Sequence, residues 1–352
     1  MVQFLYAPIL RWKQGERAAL AHLSSTVRTG TTPHLVVAQG QYGDTRPPRK
    51  PSKKPPKKQP PSAADALVKQ IADAWGSGKF YLDASDLPGT AAAHCLDNIA
   101  VSARAAGLKL VPSTKLNAPA YYQAAAQRMV AADGRGSALR ISLAELTSAG
   151  SWIGSWYCPV TETDLIIDLA GSVGNVSVLG TPVAMAFASL YQGPAWRSVT
   201  MAGGNIPANL GGYPLGQTPL PRVEVLLWNA LNAHGLPYTL HFGDYATIGP
   251  DASTDNIPGP VPINAKYTLN ADFLVFHGVK TKGPGARPRD AQYRSYAKAI
   301  VGHPSRGALG HCWGDTTINA IATIPSTSPG SPASWVSYSV NRHIELTRSQ
   351  LP

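Results

Sequence analysis

Charged side chains are scarce in this chain of 352 residues: Asp, Glu, Lys and Arg together make up 14% of it, where about a quarter is usual. Loops must therefore cover much of the surface, and the 33 Gly and 31 Pro residues can supply them. Cysteine is almost missing. Cys95, Cys158 and Cys312 are an odd number, far apart and without a C-x-x-C pair, which argues against a disulfide framework and a zinc ribbon. No apolar run approaches ~18 residues, so no membrane span is expected. The N-terminal MVQFLYAPILRWKQGE lacks the basic start and small-residue cleavage site of a secretory signal. The expectation is a cytoplasmic protein. Common catalytic motifs are missing too, with no G-x-S-x-G, no H-E-x-x-H, no P-loop and no G-x-G-x-x-G between a strand and a helix. His311, Cys312 and His343 share no ligand spacing, so no metal site is read, and no cofactor is named by the residues.

Positive charge is present but local. The formal charge is +11, yet Arg46, Arg49, Lys50, Lys53, Lys54, Lys57 and Lys58 form one run without an acid, and setting those seven aside leaves +4. Within residues 44–62 Pro alternates with Lys so densely that neither helix nor core strand can form, because Pro lacks the amide proton and like charges repel. An exposed polyproline-like loop is expected there. It could be a solvated spacer or an arm for the phosphates of nucleic acid; no aromatic residue is interleaved to stack on bases.

What dominates the chain is a rhythm. Short apolar segments recur about every thirty residues at 4–12, 34–39, 79–85, 108–115, 137–143, 163–170, 196–203 and 239–247, and helix-like stretches follow most of them. Alternating strands and helices imply a parallel sheet, and eight units is the number at which such a sheet closes into a TIM-like (β/α)8 barrel. The α/β barrel would occupy residues 1–250. An α+β extension, 251–352, would pack on it within the same domain. Periodicity leaves open whether the eighth strand is 239–247 or FLVFHG at 273–278.

In such a barrel reactive groups gather at the C-terminal ends of the strands. Lys13, Asp83, Arg140, Asp168 and Asp244 are the candidate catalytic residues on that rule, with Trp12, Glu16, Lys115 and Tyr245 as candidate ligand contacts beside them. A carboxylate within the apolar LIIDLA costs several kcal/mol unless paired, which singles out Asp168; Arg140 on the neighbouring strand is its obvious partner. Gly203, Gly204, Gly211 and Gly212 flank the loop after the seventh strand, where barrels often bind phosphate through backbone amides. Further on, Trp313 offers a flat face, Asp315 could cap the helix TTINAIAT, and Asn341 and His343 would alternate on one strand face.

Several collinear pieces carry a resemblance: YAPILRWKQGE (6–16), AWGSGKFYLD (74–83), DLIIDL (164–169), FGDY (242–245), INAKYT (263–268), FLVFHG (273–278), CWGD (312–315) and SVNRHI (339–344). Together they resemble the beta protein family of T4-like phages and bacteria. The resemblance implies one compact family domain that includes the last hundred residues; it implies no reaction. HCWGD and NRH depart from the family pattern, which argues against a metal site on two adjacent histidines. The expected function is thus a phage- or prophage-related ligand-binding or hydrolase-like barrel directed at a phosphorylated group or another small ligand. The alternative is a non-catalytic interaction protein in phage-host conflict, whose basic loop contacts nucleic acid or a protein.

Overall fold

All eight expected segments form strands, because each alternates residues that suit the two faces of a barrel wall. The computed structural model describes residues 5–43, 61–90, 92–190, 195–251, 261–306 and 312–352; the basic run 46–58 and His311 lie outside them. One parallel sheet contains β1 (Ile9–Arg11), β2 (His34–Val36), β3 (Lys79–Asp83), β4 (Lys109–Lys115), β5 (Ser137–Ser142), β6 (Thr163–Asp168), β7 (Ser198–Gly203) and, after an intervening β8 (Gly216–Pro221), β9 (Leu240–Asp244), in that order. Its edges meet. Tyr6 bridges Phe242, with Ala7 N donating to Phe242 O at 2.8 Å and Phe242 N to Leu5 O at 3.2 Å. This closes a TIM-like barrel and makes 239–247, not 273–278, its eighth strand.

Side chains sort by the two-residue period of a strand. Leu10, Leu35, Leu82, Leu110, Leu139, Leu165, Met201 and Phe242 point outward into the core shared with the helices. Ala7, Ile9, Tyr81, Val111, Ala138, Ile166, Ala202 and Tyr245 point inward and pack against one another. The interior is therefore filled rather than open, and only its ends can hold a site.

The surrounding helices are α1 (Gln14–Ala21), α2 (Ser25–Thr29), α3 (Ala63–Trp75), α4 (Cys95–Ala105), α5 (Ala120–Asp133), the short α6 (Leu143–Thr147) and α7 (Ala149–Trp152), α8 (Val176–Ser189) and α9 (Val223–Ala233). The stretch after β1 is divided into two helices, because Ser24 takes the amide of Val27 and starts a new one. α4 starts at Cys95, where the His94 ring accepts from Leu96 N.

The last hundred residues add β10 (Ala265–Thr268), β11 (Asp272–His277), α10 (Arg289–Val301), α11 (Trp313–Thr323) and α12 (Pro332–Gln350). Antiparallel pairing joins β10 to β11 and β11 to β8, so a segment from the barrel's seventh connection completes the extension's sheet. Pro219 and Pro221 suit β8 to its edge position. A second core forms between this sheet and its helices, with Tyr267, Phe276, Tyr293, Ile318 and Trp335. The strand face expected for Asn341 and His343 is overturned: both lie on α12, a helix of 19 residues that opens with Ser331 as its cap and Pro332 in its first turn. No described helix is long and apolar enough to cross a membrane.

Candidate functional site

Strand alternation decides which polar residues reach the C-terminal mouth. Tyr81 and Ile166 point inward, so Asp83 and Asp168, two residues on, do too; Arg140 follows Ala138 in the same way. There Arg140 Nε donates to Asp168 Oδ2 at 2.8 Å, Arg140 Nη2 to the Tyr245 hydroxyl at 2.6 Å, and that hydroxyl to Asp168 Oδ2 at 2.6 Å. The Arg140 and Asp168 side chains retain 14% and 9% exposure, so the pair can be reached from the mouth. Burial opposes the charge on Arg140, but Asp168, Tyr245 and Asp83 outweigh it and raise its pKa above the usual value.

Asp83 is held from one side only. Its Oδ1 accepts from Ser85 N at 3.0 Å and Ser85 Oγ at 2.6 Å, while its Oδ2 lies 4.0 Å from the Lys115 ammonium, whose side chain is 41% exposed. Arg11, at the end of β1, donates to Gly249 O and Pro250 O at 3.4 and 3.2 Å. Glu16 is buried, and burial pushes its pKa up to about 6 against the pull of Lys13, Arg11 and Arg17. Lys13 is partly buried at the start of α1.

Below the mouth the sequence reading missed His34. It is fully buried in β2 and neither ring nitrogen has a hydrogen-bond partner; burial first, then the charge of Arg140, lowers its pKa to about 3. The imidazole is neutral at neutral pH. Ser113 Oγ is likewise buried and unpartnered. The signal for His34 was available: it stands two residues before Val36, on the inward face of the run HLVV.

The structure does not bring Asp244 to this site. Tyr245 faces inward, so Asp244 faces the helices, where it accepts from Tyr6 at 2.8 Å and lies 2.7 Å from His343 Nε2. Burial would raise the Asp244 pKa, but His343, the Ala246 amide and Tyr6 hold it below the usual range. Burial in turn lowers that of His343, whose Nδ1 is 3.0 Å from Thr268 Oγ1. Trp12 is also outside the mouth, in the core, with its indole donating to Gln70 at 3.3 Å.

The C-terminal candidates form ties rather than a ligand site. Asp315 does not cap α11; Cys312 does, its Sγ taking the Asp315 amide at 3.3 Å. The Asp315 carboxylate pairs instead with Arg342 at 3.0 Å and Tyr267 at 2.8 Å. Asn341 accepts from Gly314 N at 2.9 Å and donates to Ala19 O at 3.2 Å. Trp313 stacks on His22 with ring centres 3.9 Å apart. In the glycine-flanked loop the Gly204 amide donates to Ala170 O and that of Gly211 to Asn209, so these two are engaged within the protein.

A shared local chemistry explains why acids end three strands. Asp83, Asp168 and Asp244 each accept, through Oδ1, the amide of the residue two positions on, namely Ser85, Ala170 and Ala246. Ala170 and Ala246 adopt φ of +46° and +49°, a conformation that costs a non-glycine residue roughly 1 kcal/mol or more. Two turns at this end of the barrel are thus held in strained shapes by strand-end carboxylates.

The model of the Beta protein family matches residues 6–347 of the chain. Among curated proteins none matches it.

Proposed function

The chain belongs to the Beta protein family, and on that premise we propose that it is a ligand-binding barrel whose C-terminal mouth takes a small phosphorylated molecule. One observation carries the reading: two carboxylates, Asp83 and Asp168, face two cations, Lys115 and Arg140, and the half-exposed Lys115 stays 4.0 Å from its acid. Arginine offers a phosphate a planar fork and lysine a mobile point charge. Asp83 Oδ2 is the mouth oxygen best disposed to accept a proton if a bound ester is hydrolysed. We read the chain as phage- or prophage-related on the strength of its collinear motifs. The direct test is calorimetric titration with inorganic phosphate and a sugar phosphate. Saturable binding that weakens about tenfold in Lys115→Met, roughly the 1.4 kcal/mol of one charge-assisted contact, is the expected result. Identical isotherms for both proteins would refute it.

A second contact is supported by the seven cations between Arg46 and Lys58. This run suits a polyanion such as nucleic acid. Retention on an immobilised DNA or RNA column should fall steeply with salt and shift to lower salt when 46–58 is deleted; unchanged elution of the deleted protein would end this reading.

A further inference from the structure

A cavity of about 230 Å³ lies beside the mouth, where the loops after β7 and β9 meet β10 and α12. Leu210, Ile248, Pro262, Trp335 and Val336 give it an apolar lining, and Lys266 is its charged group. Strand alternation puts Lys266 on the same face of β10 as Thr268, whose hydroxyl meets His343, so this face turns toward the barrel. Among the described residues no carboxylate or hydrogen-bond acceptor meets the Lys266 ammonium, and the charge that reaches it is that of another cation, Arg11. An ammonium without a counter-charge is unfavourable, and an anionic oxygen placed beside it relieves this.

We propose that this cavity binds a small organic anion, a carboxylate on an aromatic or short aliphatic body, with Lys266 neutralising the carboxylate. The volume is enough for a benzoate-sized molecule, and the apolar lining suits its ring. The burial that brings the Lys266 pKa down to about 8 reflects the same missing counter-charge. This site is separate from the phosphate reading of the mouth: neither Lys115 nor Arg140 lines it.

Benzoate and hexanoate, with uncharged benzamide as control, should be titrated by calorimetry into the full-length protein and into Lys266→Met and Lys266→Gln. Saturable benzoate binding is expected, weakened at least tenfold in both variants and equally weak for benzamide. The variants should keep the wild-type melting temperature or exceed it, since they remove a charge without a partner. On the wild type alone, benzoate should protect Lys266 from reductive methylation, read by peptide mass spectrometry. No saturable binding of either anion, undiminished binding by the Lys266 variants, or unprotected Lys266 would each overturn the proposal. Phosphate titration of Lys266→Met tests the mouth independently, because loss there leaves the cavity result unaffected.

Discussion

Asp164 lies at the opposite end of the barrel from the mouth and shows what a fully paired interior carboxylate does. Arg197 donates to both its oxygens at 2.8 and 2.7 Å, Lys79 reaches it at 2.6 Å and Ser198 at 2.7 Å. Burial would raise its pKa; the Arg197 hydrogen bonds and the Lys79 charge outweigh burial and bring it down to about 2. A carboxyl depressed in the folded state stabilises the fold above its unfolded pKa of about 4, and that contribution disappears as pH falls from there toward 2. The difference is on the order of 2 kcal/mol. Urea unfolding of wild type and Asp164→Asn between pH 7 and pH 2.5 should show it. The wild type should lose about 2 kcal/mol more than the variant over the acid interval, and parallel curves would show that Asp164 contributes no such linkage. Residues of this kind were only half legible in the sequence. Asp83, Arg140 and Asp168 could be placed because each follows an inward apolar residue by two. Asp244 was misread because a position at the end of a strand does not reveal on which face it lies. His34 was overlooked although its inward position in HLVV was visible, and Lys266 went unnoticed because nothing near it in the chain reports that its partner is missing.

Element by element, local signals were sufficient wherever contacts are local. Ser62 caps α3 by accepting the Asp65 amide, and Gly134 ends α5 with φ of +62°, both as helix-boundary chemistry requires. The eight barrel strands were visible because parallel strands buried on both faces appear as continuous apolar runs. Two elements escaped. β8 has the sequence GQTPLP, poor in β-formers and interrupted by proline, and exists because β11 offers it six paired positions. α12 was mistaken for a strand because Val336, Tyr338 and Val340 alternate with small polar residues. What settles its helical state is its place between the two cores, with Trp335 in one, Val340 and Ile344 in the other, and every residue from 339 to 344 buried. Both errors have one cause: the partner that selects the conformation is distant in sequence, and periodicity carries no information about it.

At the scale of the whole molecule, the barrel and the extension are built into each other. α12 lies along α1, with Val336 close against Gly15 and Asn341 bonded to Ala19. His343 supplies the partner of Asp244, and Arg222, buried at the start of α9, reaches Thr347 and Gln350 at 2.8 and 2.7 Å. Residues 1–250 alone would keep all eight barrel strands but lose these contacts. Asp244 would then lack His343, and Arg222 would lose both side-chain acceptors from α12. Leaving a buried polar or charged group without its hydrogen-bond partner costs roughly 1–3 kcal/mol each, and the face of α1 that α12 covers would be left open to water as well. Against a total stability of about 5–15 kcal/mol for a typical domain, these losses are large enough to abolish cooperative folding. A fragment ending at residue 250 should therefore show no sharp thermal transition by circular dichroism, while the full chain shows one. A fragment that melts cooperatively near the full-length midpoint would mean that the barrel is self-sufficient. The extension would then be a separable addition, and the cavity that Lys266 lines would belong to a docked module instead of the barrel's own mouth.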